Sequence, residues 1–172
     1  VEDAEAEADF ALLESELRRS GAILEEMRGR SVEGVGELHE SVSVDTFLAQ
    51  LRELSPTKAR DRIDLINNGS QNELVLPVRA LSQALNSLIR NALEASEPNG
   101  RVAVTVTETG AMVSFQVEDR GQGIAAHILG RVGEPFFTTK EPGQGMGLGV
   151  FLAKLIAERN GGALTITSEP QH

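Results

Sequence analysis

The sequence contains no cysteine, tryptophan or tyrosine, and only six phenylalanines. The absence of cysteine excludes a disulfide framework, a thiolate metal site and a cysteine nucleophile, and it fits a reducing compartment. Because aromatic residues are scarce, the hydrophobic core must consist mainly of Leu, Ile, Val and Ala side chains. A core of this composition suits helices packed on a sheet.

Long apolar runs and an excess of positive charge are missing as well. No run of about 18 apolar residues predicts a membrane span, and no segment resembles a signal peptide. We therefore expect the chain to be cytoplasmic, and the sequence leaves open whether the intact protein is anchored in an inner membrane. The formal net charge of -10 argues against nucleic acid as a partner, since phosphate groups would be repelled.

The 172 residues can form one domain of ordinary size with a short appendage. Residues 1–30 predict an amphipathic helix that packs against other helices, although a helix lying on its own domain would show the same spacing. Its apolar seam consists of Phe10, Leu13, Leu17, Ser20, Leu24 and Met27. Residues 31–40 lose this period and contain several glycines, which indicates a linker to a domain at 41–172.

Within that domain, strand-like and helix-like patterns follow one another. Strands are predicted at 41–44, 62–67, 102–106, 113–117 and 163–167, and helices at 45–54, 77–95 and 148–159. We expect Asp45 to cap the first of these helices and Thr109-Gly110 to turn the hairpin. Residues 119–149 are predicted to form a long loop. This order predicts an α/β (α+β) sandwich, a mixed and mostly antiparallel sheet with helices on one face.

A first cluster with chemical potential is NSLIRNALEAS (Asn86–Ser96), inside the longest predicted helix. Asn91 and Glu94 fall on neighbouring positions of one helical face. The neutral side-chain oxygen of Asn91 can ligate a hard cation such as Mg²⁺. Taken alone, an Asn at such a position is more often solvated or hydrogen-bonded locally.

A second cluster, EDRGQGI (Glu118–Ile124), directly follows a predicted strand. Gly121 and Gly123 would let the backbone approach a flat ligand closely. The carboxylate of Asp119 could accept a hydrogen bond from an exocyclic amine such as that of adenine. An ordinary Asp-Gly turn is the alternative explanation.

The third cluster, GQGMGLGV (Gly143–Val150), leads straight into a helix. Glycine backbone N–H groups and a helix N-terminus bind anions, which would explain how an acidic protein could hold a triphosphate. A flexible linker would not explain why an apolar helix follows at once. Between the second and third clusters, Phe136 and Phe137 could fix a mobile loop from which Lys140 reaches phosphate.

These clusters fit neither a Walker P-loop nor a dinucleotide fingerprint, because no GxxxxGK[ST] match is present. Their order resembles the N, first glycine, F and second glycine boxes of histidine protein kinases, which belong to a wider ATPase group with DNA gyrase, HSP90 and MutL. The resemblance covers 41–168 and implies the Bergerat fold. The string EPFFTTK (Glu134–Lys140) resembles the lid, the loop that covers ATP, of nitrogen- and redox-type sensor kinases.

The resemblance also implies the ATP-binding residues. Asn91 would be the Mg²⁺ ligand, Asp119 the reader of adenine, and Lys140 a neighbour of the phosphates. The implied nucleotide-binding set is Asn91, Asp119, Gly121, Gly123, Ile124, Phe137, Thr138, Thr139, Lys140, Gly145, Gly147, Leu148 and Gly149.

Three positions depart from the pattern of the resembled family. Many members carry Asn four residues before the Mg²⁺ ligand, where this chain has Ser87, and Asn86 is rotated from that position by about 100°. Many members also carry Lys where this chain has Glu94, so neutralisation of phosphate would fall on Lys140 or Arg90. The roles of Asn86, Ser87 and Glu94 are left open.

No histidine of the chain fits the family's phosphoacceptor, which precedes an acidic residue and a Pro-Leu pair. His39 precedes the acidic Glu40 but then Ser-Val-Ser-Val and no Pro-Leu pair, His127 lies in the long loop, and His172 ends the chain. The resemblance therefore implies that 1–30 is the second helix of a dimerisation hairpin whose other helix carries the acceptor. It also implies that the domain is trimmed at its C-terminus and that no catalytic residue lies within the chain.

The implied function is ATP binding and transfer of the γ-phosphoryl group to a histidine outside this chain, for relay to an aspartate of a response-regulator receiver domain. The intact protein is expected to be a homodimer and this chain alone a monomer. The departures at Ser87 and Glu94 favour an alternative, a nucleotide-dependent interaction module without phosphoryl transfer. A third alternative, hydrolysis of ATP by water, requires a carboxylate base where Ser87 stands.

Overall fold

A computed structural model describes residues 38–69, 73–141 and 145–169. Its strands are β1 (Glu40–Ser43), β2 (Ile63–Asn67), β3 (Glu73–Leu76), β4 (Val102–Thr109) and β5 (Met112–Glu118). Its α-helices are α1 (Val44–Leu54), α2 (Val78–Ala95), α3 (Ala126–Leu129) and α4 (Gly149–Arg159), and a 3-10 helix covers Thr57–Arg62. The helix predicted for 1–30 lies outside the described residues, as does most of the predicted linker.

The central sheet has the order β2-β4-β5. Strand β2 pairs with β4 in parallel, with Leu65 opposite Val104, and β4 pairs with β5 antiparallel, with Val104 opposite Val117. Strands β1 and β3 form a separate antiparallel pair. The predicted mixed and mostly antiparallel architecture is therefore confirmed, with β3 as a strand that the sequence patterns did not indicate.

The core lies between one face of this sheet and helices α1 and α2. Val102, Val104 and Val106 are fully buried on that face, and Ile89 of α2 is fully buried against it. The ring of Phe47 in α1 meets Phe115 of β5 edge to face, with 5.6 Å between the centroids. Since each fully buried aliphatic side chain stabilises the fold by about 1.5–3 kcal/mol, the valine stripe fixes which face of the sheet the helices cover.

The C-terminal end of α2 is held by several hydrogen bonds to its carbonyl groups and to those just after it. The guanidinium group of Arg62 donates to the carbonyl oxygens of Glu97 and Gly100, at 2.8 and 2.7 Å. The Gln122 N–H donates to the Ala95 carbonyl oxygen at 3.3 Å. Because these donors satisfy carbonyls that a helix end leaves unpaired, α2 ends at a defined place beside the loop that follows β5.

Helix α1 is capped by Ser43 and not by Asp45, so the predicted cap was wrong. Ser43 has an extended backbone, and its Oγ accepts a hydrogen bond from the Thr46 N–H at 3.2 Å. Asp45 is already helical, and its carboxylate accepts a hydrogen bond from Asn67 Nδ2 at 2.9 Å. The cap requires the last extended residue before the helix, and that residue is Ser43.

The strand predicted at 163–167 does not form. Residues 162–169 have no regular secondary structure, although half-buried and exposed side chains alternate along them. Alternation predicts an extended chain, whereas a strand also needs a neighbouring strand with which to exchange backbone hydrogen bonds. Among the helices of the described ranges, none is long and apolar enough to cross a bilayer.

Candidate functional site

Helix α2 and the loop before α4 meet at Asn91. The ammonium group of Lys140 donates a hydrogen bond to Asn91 Oδ1 at 3.2 Å and forms an ion pair with the Glu94 carboxylate. The structure thus joins the first cluster of the sequence to the segment 134–141, which we call the lid. A cation already lies on the amide oxygen that was predicted to bind Mg²⁺.

The start of α4 packs against the same part of α2. A Cβ atom at Gly149 would lie 2.3 Å from Ser87 Oγ and 3.7 Å from Asn91 Nδ2. Gly147 has a φ of 68°, and a Cβ there would lie 2.5 Å from the Phe137 carbonyl oxygen. Gly147 therefore requires glycine, Gly149 can take a larger residue only if Ser87 Oγ shifts, and between them Leu148 is buried. No side chain of the described residues caps α4, so its first N–H groups have no side-chain acceptor and could serve as donors for an anion.

The loop after β5 approaches the C-terminal end of α2. Asp119 Oδ1 accepts a hydrogen bond from the Gly121 N–H at 2.8 Å. Gly121 is buried, and a Cβ atom there would lie 2.4 Å from the Ala95 carbonyl oxygen. Asp119 itself is exposed, and a carboxylate has two acceptor oxygens, so it retains acceptor capacity for an amine.

Two further residues of this loop were predicted site residues. Gly123 has a φ of 75°, a left-handed conformation that favours glycine. The Ile124 N–H donates to Ser168 Oγ at 2.8 Å, which ties the loop to the segment after α4. Ser168 was not predicted to contribute, because no sequence pattern relates positions so far apart.

The lid contains two aromatic residues in different environments. Phe136 is 49% exposed and has a φ of 64°, an uncommon conformation for a bulky residue. The guanidinium group of Arg131 lies 4.3 Å from the centroid of the Phe137 ring, a cation–π arrangement, and its Nε is 3.2 Å from the Glu134 carboxylate. Arg131 therefore holds the lid at Phe137, a role that the sequence did not indicate.

The remaining predicted lid residues lie close to Lys140. Thr138 and Thr139 are exposed, and Thr138 Oγ1 accepts a hydrogen bond from the Lys140 N–H at 3.2 Å. A Cβ atom at Gly145 would lie 3.1 Å from Lys140 Cδ. Thr138 and Gly145 therefore confine Lys140 from two sides.

The positions that depart from the family pattern have separate environments. Asn86 Nδ2 donates to the Leu54 carbonyl oxygen at 3.1 Å, at the end of α1 and away from Asn91. Ser87 is only 7% exposed, and its Oγ has no hydrogen-bond partner within the described residues. Arg90 is exposed, whereas Lys140 donates a hydrogen bond to Asn91.

The histidines lie elsewhere. The ring nitrogen Nε2 of His39 is 2.8 Å from Asn160 Oδ1 at the end of α4, and His127 is exposed in α3. His172 lies outside the described residues.

The donor set at Asn91 fits a magnesium ion bound together with phosphate. Mg²⁺ usually keeps several water ligands and takes few protein oxygens when it binds with phosphates. Asn91 Oδ1 is such an oxygen, and the ammonium group of Lys140 marks its position as suitable for a positive charge. Gly147 and Gly149 pack closely against Phe137 and Ser87, which fixes the backbone that leads into α4, and the start of a helix is a common place for an anion to bind.

Known proteins resemble this chain in sequence and in fold. Residues 77–172 match the family model described as histidine kinase-, DNA gyrase B-, and HSP90-like ATPase. Sporulation kinase A of Bacillus subtilis (strain 168) is 31% identical over 172 residues, which cover 94% of this chain and 27% of that protein. Sensor histidine kinase ZraS of Escherichia coli (strain K12) is 33% identical over 133 residues, which cover 76% of this chain and 28% of that protein. The chain thus spans little more than a quarter of the length of these two relatives.

Among solved structures, full-length ShkA in complex with AMPPNP superposes with a TM-score of 0.62 and 25% identity. The superposition covers 72% of this chain and 26% of ShkA.

Proposed function

Since the chain belongs to the family of histidine kinase-, DNA gyrase B- and HSP90-like ATPases, and carries the ATP-binding catalytic domain of a two-component sensor histidine kinase, we propose where ATP binds and where its γ-phosphoryl group goes. The nucleotide lies between α2 and the segment formed by the lid and the start of α4. The observation that carries this proposal is the meeting of Asn91, Lys140 and Gly149 at one place.

The triphosphate end of the site is built from Asn91, the lid and α4. Asn91 Oδ1 would hold Mg²⁺, which when bound would offset negative charge on the phosphate oxygens. Lys140 and the N–H groups at 147–149 would contact the phosphates themselves. Lys140 and these groups are close enough to Asn91 to act on one triphosphate. The phosphate end of the proposed set consists of Asn91, Phe137, Thr138, Thr139, Lys140, Gly145, Gly147, Leu148 and Gly149.

The adenine end is the loop after β5. Asp119 would accept a hydrogen bond from the exocyclic amine of adenine, while Gly121, Gly123 and Ile124 line the ring. The close approach of Gly121 to Ala95 supports this assignment, because it holds the Asp119 carboxylate beside the end of α2. The structure of ShkA with AMPPNP, a protein of the same fold, is consistent with a nucleotide here.

The proposed reaction is phosphoryl transfer to a histidine outside this chain. The imidazole nitrogen that carries the lone pair attacks the γ-phosphorus, the bond to the β,γ-bridging oxygen breaks, and ADP leaves with that electron pair. The proton on the second imidazole nitrogen then passes to solvent. The domain contributes positioning and charge neutralisation, which is most of what such a transfer requires of a protein. Relay to the receiver-domain aspartate of a response regulator would follow.

The organisation of the protein is proposed from the family resemblance. Residues 1–30 would be the second helix of a dimerisation hairpin, 31–40 a linker and 41–172 the catalytic domain. The intact protein would form a homodimer, and the domain would work in the cytoplasm. The lid string EPFFTTK supports a place in the nitrogen- or redox-type subgroup.

Titration calorimetry of ATP, with and without Mg²⁺, tests this proposal. We expect Asp119→Ala to abolish binding and Asn91→Ala to remove its dependence on Mg²⁺. Asp61→Ala and Asn99→Ala serve as matched controls, because both side chains are exposed and outside the site. Absence of wild-type binding at millimolar ATP would contradict the proposal.

The interaction-module alternative is supported by one observation, the presence of Glu94 beside Asn91. Incubation of the intact protein with ATP labelled in the γ-phosphate separates the two functions. Binding with acid-labile labelling of the protein supports the kinase, and binding without labelling supports the module.

A further inference from the structure

Glu94 and Asn91 present two oxygen atoms to a single ammonium group. The two residues are three positions apart on α2, so their side chains share a face. Lys140 donates to Asn91 Oδ1 at 3.2 Å and pairs with the Glu94 carboxylate. An ammonium group has three donors, and this arrangement uses two of them on α2.

The pair differs from an isolated surface ion pair in how Lys140 is held. The N–H of Lys140 donates to Thr138 Oγ1, and Gly145 lies against the lysine methylene groups. The side chain of Lys140 is 35% exposed. Because its backbone and stem are confined, forming the ion pair costs less conformational entropy than it would for an unrestrained lysine.

We propose that Glu94 is a positioning residue that holds the lid on α2 in the absence of nucleotide, with the Lys140 ammonium group in the place of Mg²⁺. This inference rests on the proposed function, because it assumes that Asn91 Oδ1 is the oxygen that binds the metal. Lys140 and Mg²⁺ then compete for one atom. Binding of the nucleotide with its metal requires Lys140 to leave Glu94 and Asn91 and to take a phosphate as its partner.

Glu94 therefore opposes nucleotide binding in two ways. Its carboxylate stabilises the lid contact that must be broken, and once Lys140 has moved, the same carboxylate is an unpaired anion beside the phosphates. In this domain Glu94 therefore raises the nucleotide concentration that is needed to release the lid.

Two measurements on the 172-residue chain test the proposal: amide hydrogen exchange of 134–141 without ligand, and calorimetric titration of ATP with and without Mg²⁺. Glu94→Gln should speed exchange in the lid and tighten binding of ATP with Mg²⁺ by up to about fivefold, the upper end of the range for one exposed charge pair. Lys140→Gln should also speed exchange but should weaken binding, because the phosphate partner is lost. Glu97→Gln is the matched control, since that exposed side chain follows the end of the same helix.

Unchanged lid exchange in Glu94→Gln would overturn the proposal. Weaker binding of ATP with Mg²⁺ in that variant would overturn it too, since Glu94 would then be a ligand of the metal. The exchange measurement needs no nucleotide, so it distinguishes failure of this inference from failure of the proposed ATP site.

Discussion

Replacing Gly149 with Ala should destabilise the domain through a single contact. The added Cβ would lie 2.3 Å from Ser87 Oγ, whereas the next atoms, Ser87 Cβ and Asn91 Nδ2, are at 3.6 and 3.7 Å. The first distance is far inside van der Waals contact, and the other two are ordinary packing distances. Overpacking of a helix interface costs about 1–3 kcal/mol, and Ala gains up to about 1 kcal/mol over Gly in a helix. We therefore expect Gly149→Ala to lower the free energy of unfolding by about 1–2 kcal/mol.

The same geometry predicts that Ser87→Ala rescues the variant. Ser87 Oγ has no hydrogen-bond partner within the described residues, so its removal alone should be neutral or slightly stabilising. In the double variant the 2.3 Å contact no longer exists, and only the ordinary contacts remain. The gain of Ala over Gly is common to the single and the double variant, so the two substitutions should show a coupling energy equal to the overpacking cost, about 1–3 kcal/mol, in a double-mutant cycle.

Urea unfolding of the wild type, both single variants and the double variant measures this coupling. ATP affinity of the double variant reports whether α4 keeps its place beside Asn91. If Gly149→Ala is as stable as the wild type, or if the double variant keeps the whole loss, then the contact between α2 and α4 is not as close as the structure gives it. Gly161→Ala is an unsuitable control because Gly161 has a positive φ, whereas Gly130→Ala meets no atom within 4 Å and is suitable.

Two further predictions concern residues outside the proposed ATP site. Asn86→Ala should lower the free energy of unfolding by about 1 kcal/mol through loss of the bond to the Leu54 carbonyl, and ATP affinity by calorimetry should stay unchanged; a large loss of affinity would instead place Asn86 in the site. The Arg101 guanidinium lowers the pKa of Asp64 in the folded state. The pair therefore stabilises the fold at pH values above the ordinary carboxyl pKa. This stabilisation is lost as the pH falls through the lowered pKa of Asp64. In urea unfolding, Asp64→Asn should lower the midpoint slightly at pH 7 but not at a pH below the lowered pKa of Asp64; an equal change at both pH values would refute a stabilising role of the ion pair.

The strands and helices that the sequence predicted well are those whose pattern reflects one-sided burial. The alternating valines of β4 face the core and predicted that strand directly, and the helix predicted at 77–95 is observed as α2, Val78–Ala95. The predictions failed where the outcome depends on a neighbour. Strand β3 has only four residues and exists through its pairing with β1, while 163–167 has the alternation of a strand but no partner strand in the described chain.

The candidate site shows the same limit. The family resemblance predicted Asn91 and Lys140 as site residues, but no periodicity relates two positions 49 residues apart, so their contact could be known only from the structure. The partner of Glu94 and the packing of Gly149 on Ser87 were likewise unpredictable, because each depends on how two separate segments approach. The role of Asn86 was left open from the sequence, and the structure shows that its side chain donates a hydrogen bond to the Leu54 carbonyl oxygen at the end of α1.

The hydrogen bonds at the end of α2 hold the Asn91 side of the proposed site in place, whereas the lid side has fewer such bonds in the described residues. Arg62 and Gln122 tie this helix end to β2 and to the loop after β5, so Asn91, within the last two turns, shares the rigidity of the central sheet. The lid has no comparable ties to the sheet in the described residues; its contacts run through side chains such as Arg131 and Lys140. In the proposed site, opening and closing would therefore move the lid while Asn91 stays in place on a helix that the sheet supports, so the sheet would set the position to which a phosphoryl group is aligned.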